Sequence, residues 1–235
     1  MAEPAQSKRQ RWRRRGAEIL TIVFGIMLAL FLDALWQDYE KLALEDEYLK
    51  GLALEFAKAE EELVSDQERR EEILGTIDYM LDQKALPAEM KIQHIIGRLY
   101  DFRFYTPSHS MLEDLLSSGR LHYLRSDDLR RALLRYIQEK ERLQAVEVRE
   151  TQFAADYVEP VLVEHFDLRE LYYEENGVDQ SQRLLALLSD PSFTNILVLR
   201  AGRTETSLRF GNYLTSWIER VRELLPAVPN ESTGR

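Results

Sequence analysis

The chain has 235 residues, no cysteine and a formal net charge of −10 at pH 7. The lack of cysteine excludes disulfides, thiolate metal sites and cysteine nucleophiles. The acidic balance argues against a nucleic-acid partner, which needs a basic face for phosphate.

Charge is nonetheless unevenly placed. Six of the 31 basic residues and two of the 41 acidic ones lie in the first 18 positions, leaving 25 and 39 for the remainder. Residues 1–16 form a basic head with Lys8, Arg9, Arg11, Arg13, Arg14 and Arg15. Attraction to anionic lipid explains such a cluster, at about 1 kcal/mol per cation near the surface.

An apolar run follows at once. Ile19–Leu32 supplies fourteen uncharged residues, and Ala17 with Ala34–Trp36 extends the stretch to 17–36. A bilayer core of roughly 30 Å takes about 20 such residues in a helix. Glu18 and Asp33 lie near the two ends, and Trp12 and Trp36 bracket the run as interfacial aromatics do. The expectation is a single transmembrane helix in a cytoplasmic (inner) membrane. The basic head stays in the cytoplasm and the acidic body is periplasmic or extracellular. A cleaved signal peptide would show a small-residue cleavage site after the run, and no A-x-A pattern follows.

Within this span Thr21, Gly25, Ala29 and Asp33 recur every four residues and share one face. Gly25 and Ala29 make a small-x-x-x-small pair, which lets two helix backbones approach closely. The stripe is a candidate association face. Asp33 invites a second reading as a proton-relay group, since an ionisable residue in a span suggests function; its place near the outer boundary, where water or head groups hydrate it, is the simpler explanation.

Residues 37–84 read as one long juxtamembrane helix or two abutting ones. Leu42, Leu49, Phe56 and Leu63 repeat every seven residues, with Leu52 and Ala59 in the alternating slot. The frame then meets Asp66 and Arg70 and recovers at Ile73, Ile77 and Met80. A short coiled coil and a bundle helix both fit, the second by packing its stripe on later helices.

Residues 85–225 read as a helical bundle that packs with 37–84. Pro87 opens a new segment in which Met90, Ile92, Ile95, Ile96 and Leu99 suggest a helix through Tyr100, and an aromatic link (Tyr100, Phe102, Phe104, Tyr105) follows. Thr106–Pro107 has the form of a helix start, and Gly119 is placed to end that helix in a left-handed conformation. Ser126 caps a long helix with Asp127 and Asp128 in its first turn, which Pro160 ends or kinks. Asn176–Gly177 forms a turn and Gln180–Leu188 a short helix. Asp190–Pro191 caps the last helix, which carries Phe193, Leu197, Leu214, Ile218 and Val221. Residues 226–235 form a flexible tail. No alternating strand pattern of useful length occurs, so the fold class is all-α.

Two stretches resemble a family of uncharacterised bacterial single-pass membrane proteins, filed as a domain of unknown function. The first is Glu18-Ile19-Leu20, Gly25-Ile26-Met27-Leu28-Ala29-Leu30 and Trp36. The second is Pro107, Leu115-Leu116-Ser117-Ser118-Gly119-Arg120-Leu121, Leu129-Arg130 and Tyr136. Together they cover about half the chain. The family more often has asparagine near Asp33 and Trp-Asn-Glu where this chain has Trp36-Gln37-Asp38. The resemblance implies a membrane anchor and a helical domain, and it carries no activity or site residues.

No phosphate-binding loop, dinucleotide fingerprint or G-x-S-x-G occurs. His94, His109, His122 and His165 form no ligand-spaced set, and no cofactor is expected. The function expected is non-enzymatic: the helical domain binds a protein partner or itself, with lipid as the other partner. The alternatives are an auxiliary subunit of an ion-driven or transport complex using Asp33, and an exported enzyme without a recognisable motif.

Overall fold

The computed structural model describes residues 6–86, 91–173 and 178–227, with side chains described from residue 23 onward except at 38, 171–173 and 178–179. Among the described residues there is helix and no strand, so the all-α expectation holds. The chain divides into two compact units, residues 1–49 and 50–235.

Helix α1 runs Gln6–Gln83 without interruption, so residues 17–36 continue directly into the long helix read at 37–84. It ends where Lys84 adopts a left-handed φ of 47°, a common way to close a helix. In the first unit, Phe24, Met27, Leu30, Phe31 and Trp36 each expose more than 60 % of their surface. Val23, Ile26, Leu28, Leu32 and Leu35 are also exposed, so the apolar surface goes all the way round the helix. Among the described residues no single helix is long and apolar enough to cross a membrane. The run read from sequence begins at 17, and residues 17–22 lie outside the described side chains. The bent pair Gln180–Leu187 and Pro191–Leu224 has the required length and composition at an angle of 88°. Its Leu184, Leu187, Phe193 and Leu197 are buried in a protein core, which accounts for their hydropathy.

In the second unit three long helices pack side by side: α1 from residue 50 on, α4 (Asp127–Phe153) and α8 (Pro191–Leu224). Phe56 meets Tyr136 edge to face at 4.8 Å, and Arg70 reaches Glu150 at 2.8 Å. The offset is 80 residues at both points, so α1 and α4 run parallel and in register. Helix α8 runs the other way: Gln67 donates to Asn212 at 2.7 Å, and Glu60 pairs with Arg222. A parallel pair cannot be joined by a short loop, and the crossover between α1 and α4 occupies 84–126. It contains α2 (Ile92–Leu99), a non-helical segment 101–109, α3 (Ser110–Ser117) and a short 3₁₀ turn, Arg120–Tyr123.

Local signals place several ends as the sequence suggests. The Ser126 hydroxyl accepts from the Leu129 N–H at 3.1 Å, and Asp190 Oδ1 accepts from the Ser192 N–H at 2.8 Å. Gly119 turns left-handed, φ 69°, after α3. Thr106–Pro107 does not start a helix. The non-helical segment continues to His109, and α3 begins at Ser110, where Glu55 of α1 caps it. Glu55 Oε1 accepts from the Met111 N–H at 2.7 Å and the Ser110 hydroxyl at 2.8 Å. Pro160 does not itself end α4, which closes at Phe153. A π turn, Ala154–Val158, precedes α5 (Glu159–His165), so the proline falls in a first turn where no N–H is needed. Helices α6 (Leu168–Tyr173) and α7 (Val178–Leu187) lead to α8. The start at Pro87 and the turn at Asn176–Gly177 lie outside the described residues, as does the tail from 228 on.

Candidate functional site: a buried ionic layer

The stripe on α1 keeps its heptad frame through the polar block. Leu52, Phe56, Ala59 and Leu63 are buried before it and Ile73, Ile77 and Met80 after it; Arg70 is buried between them. Helix α8 carries the matching pattern. Phe193 and Leu197 lead into Arg200, Thr204 and Ser207, and Leu214, Ile218 and Val221 resume the apolar stripe. On α4 the buried positions Tyr136, Glu139 (which accepts from Arg142) and Leu143 are followed by Glu147, Glu150 and Phe153. Three apolar stripes are thus interrupted at one level, and the interruptions meet.

Arg70 is the hub. Its Nε donates to Asp66 at 2.8 Å, Nη1 to Glu150 at 2.8 Å and Nη2 to Glu147 at 2.7 Å. Arg200, wholly buried, donates through Nη1 to Glu150 and Thr204. Glu150 also accepts from Thr204 at 2.9 Å and Ser207 at 2.6 Å. The Arg200 guanidinium lies over the Phe102 ring, 4.7 Å from its centroid.

These side chains also serve the crossover. A segment outside helix and sheet has backbone groups to satisfy. Arg200 donates to the Asp101 carbonyl at 3.0 Å, Arg70 to the Arg103 carbonyl at 3.3 Å and Gln144 to the Tyr105 carbonyl at 3.1 Å. The Tyr105 N–H donates to Glu147 Oε2 at 3.1 Å. The ionic layer therefore fixes helix register and pins 101–105 against the helices at once.

Electrostatics within the layer are uneven. Burial pushes Glu147 up to about 7, with Asp66 and Glu150 adding to the push and Arg70 and the Tyr105 N–H opposing it. Burial also works against the Glu150 carboxylate, but Arg200 and Arg70 outweigh it and hold Glu150 below the usual range. Arg70 is carried upward by Asp66, Glu150 and Glu147 against its own burial. For Arg200 burial wins and the shift is downward, yet a guanidinium stays charged.

A second polar cluster abuts the first. His109 Nε2 and the Tyr136 hydroxyl are 2.5 Å apart, the Tyr136 and Tyr105 hydroxyls 3.4 Å, and Tyr105 donates to the Ala59 carbonyl at 3.0 Å. His109 Nδ1 lies 3.8 Å from Glu55 Oε2. Burial, with Lys140 adding to it, lowers His109 to about 4, so its ring is neutral at physiological pH. Burial raises both tyrosines.

Chemically this is a packed ionic core. The cavity touching Asp66, Arg70 and Glu150 holds about 10 Å³, room for one water at most. A larger groove of about 450 Å³ lies outside it, lined by Lys58, Glu62, Asp66, Arg103, Phe104 and Tyr105 among others. Among the described residues no group of histidines and carboxylates is arranged to hold a metal ion.

The residues singled out from sequence lie elsewhere. A Cβ added at Gly25 would meet nothing within 4 Å, Ala29 is exposed, and Asp33 accepts from Gln37 at 3.0 Å. The structure brings this stripe to no partner among the described residues. Thr21 and the basic cluster Lys8, Arg9, Arg11, Arg13, Arg14 and Arg15 lie outside the described side chains. Sequence reading noticed Asp66 and Arg70 and missed Glu147, Glu150 and Arg200. Comparison with known proteins found no matching family model, no similar curated protein and no similar solved structure.

Proposed function

We propose that the chain is a bitopic membrane protein whose helical unit, on the far side of the membrane from the basic head, mediates protein–protein or self-association. The observation that carries this is the apolar surface around α1 from Val23 to Trp36, exposed on every side. A helix apolar all round belongs in a protein core or in lipid, and exposed patches of that extent mark an interaction site. The basic residues before it and the acidic excess after it supply the orientation. The resemblance to uncharacterised single-pass proteins agrees with it.

A non-enzymatic role fits the packing of the second unit. The ionisable residues of its buried layer are spent on one another and on the crossover backbone, around a cavity of about 10 Å³. At the membrane boundary, Asp33 is bonded to Gln37 one turn on, as a hydrated end-of-span carboxylate would be. Extraction of membranes with alkaline carbonate tests the reading: the chain is expected in the pellet. Recovery in the supernatant would reject a spanning helix.

A further inference from the structure

The main chain of the crossover meets the helices at every second residue. The Asp101 carbonyl accepts from Arg200 at 3.0 Å, the Arg103 carbonyl from Arg70 at 3.3 Å and the Tyr105 carbonyl from Gln144 at 3.1 Å. The Tyr105 N–H adds its bond to Glu147. Side-chain burial alternates as well: Tyr105, Pro107 and His109 are buried, whereas Phe104, Thr106 and Ser108 are exposed. Two alternations of period two mark an extended chain. In such a chain the N–H and C=O groups of neighbouring residues point to opposite edges. The helices take one edge of 101–105. The other edge belongs to Phe102, Phe104 and Thr106, whose main-chain groups make no hydrogen bond among the described residues.

A row of unpaired main-chain groups is a template for another strand. The groove of about 450 Å³ borders the same stretch, with residues 103–106 on one wall and α1 on the other. Its charges are unevenly matched. Lys58 pairs with Glu62 at 3.6 Å, Arg103 with Asp101 at 3.9 Å and Asp66 with Arg70 at 2.8 Å. Glu61, exposed on the α1 wall, has no cationic partner among the described residues. A second copy of the chain would bring its own Glu61 and Glu62 to this edge, and like charges disfavour that pairing.

We propose that segment 102–106 is a docking edge for an extended, basic segment of a partner protein, which adds as a strand and sets a lysine or arginine against Glu61. Main-chain bonds supply the affinity, and Glu61 with the exposed Phe104 ring selects side chains. Pro107, without an N–H, ends the edge. The inference rests on the reading that the helical unit associates with a protein, and it is independent of whether residues 17–36 cross a bilayer.

The test selects phage-displayed random nonapeptides on the full-length chain, held in detergent micelles by a tag at the carboxyl end. Selected peptides should be rich in lysine and arginine and should protect the amides of Phe102, Phe104 and Thr106 from exchange. Methylating the peptide nitrogens one at a time should weaken binding about tenfold at every second position, where a main-chain bond is lost. Glu61→Lys, on an exposed helix face, should weaken the basic peptides by a similar factor. Phe104→Pro, which removes an N–H that the fold does not use, should weaken every peptide. A selection that returns no peptide, or peptides that leave the three amides unprotected and ignore Glu61→Lys, would overturn the proposal. Protection of these amides that grows with the concentration of the chain alone would assign the edge to a second copy and overturn it too. Formaldehyde crosslinking in intact cells separates the edge from the wider reading. Partner crosslinks that persist in Phe104→Pro reject the edge and keep the association; their absence in the parent rejects both.

Discussion

Arg70 and Glu150, 80 residues apart, donate and accept across the centre of the helical unit at 2.8 Å with almost no solvent contact. The same offset relates Phe56 to Tyr136 about four helical turns away. The contact therefore sits within a continuous parallel seam, and α8 closes it from the opposite direction through Arg200. Buried ions of this kind contribute little net stability compared with well-packed apolar residues, but leaving one partner behind is expensive. Their use here is to fix how the helices and the crossover are aligned.

The first prediction comes from that asymmetry. Arg70→Met leaves Asp66, Glu147 and Glu150 against Arg200 alone and should cost about 3–5 kcal/mol in denaturant unfolding. Arg70→Met combined with Glu147→Gln removes one of the stranded charges and should cost less than Arg70→Met by itself. Additive losses would mean that the two residues do not share a network.

Much of the fold was legible in the sequence because the local signals were chemical. Ser126 and Asp190 had acceptors in the right place, and Gly119 supplied the left-handed turn. Thr106–Pro107 misled because its signal is local, whereas the start of α3 is capped by Glu55, 56 residues from the Met111 amide it accepts from. The ionic layer was half visible. Asp66 and Arg70 fell in the heptad frame of α1 and looked like an interruption. The same three-and-four spacing runs through Leu197, Arg200, Thr204 and Ser207 on α8 and through Leu143, Glu147 and Glu150 on α4. A polar break at the same level of three stripes is a sequence signal, but only the register between helices shows that the breaks coincide.

Glu55 offers a second test. Its carboxylate satisfies the first amide groups of α3, which lacks a side-chain cap of its own at His109. Glu55→Ala should destabilise the helical unit by about 1–2 kcal/mol, while Glu55→Gln, which keeps an acceptor, should recover most of the loss. Denaturant midpoints of the two variants measure this directly.

His109 gives the helical unit a pH dependence on the acid side of neutrality. Its folded value of about 4 lies below the unfolded value of 6.5, chiefly through burial and then through Lys140. The unfolded chain therefore binds more protons in that interval. Its contribution is intact above 6.5 and is lost as pH falls toward 4. Glu55, 3.8 Å from Nδ1, is the carboxylate that faces the ring. His109→Gln should flatten the acid limb of a melting-temperature profile over that interval, whatever its effect on absolute stability. An acid limb as steep as the parent's would show that another group sets it.

The stripe Thr21, Gly25, Ala29 and Asp33 is the candidate face for contact between membrane helices. Gly25→Leu or Ala29→Leu should reduce self-association in a membrane two-hybrid assay, since either fills the space a close helix approach needs. An unchanged signal would leave association to the helical unit. Asp33→Asn should change little if Asp33 marks the boundary and abolish function if it carries protons.

The most direct measurement of the membrane reading is protease access to a tag at the carboxyl end in intact spheroplasts. With residues 17–36 spanning the membrane and the arginine-rich head inside, the tag should be digested while the membrane stays sealed. A tag protected until detergent is added, or a full-length chain that is soluble without detergent, would contradict it.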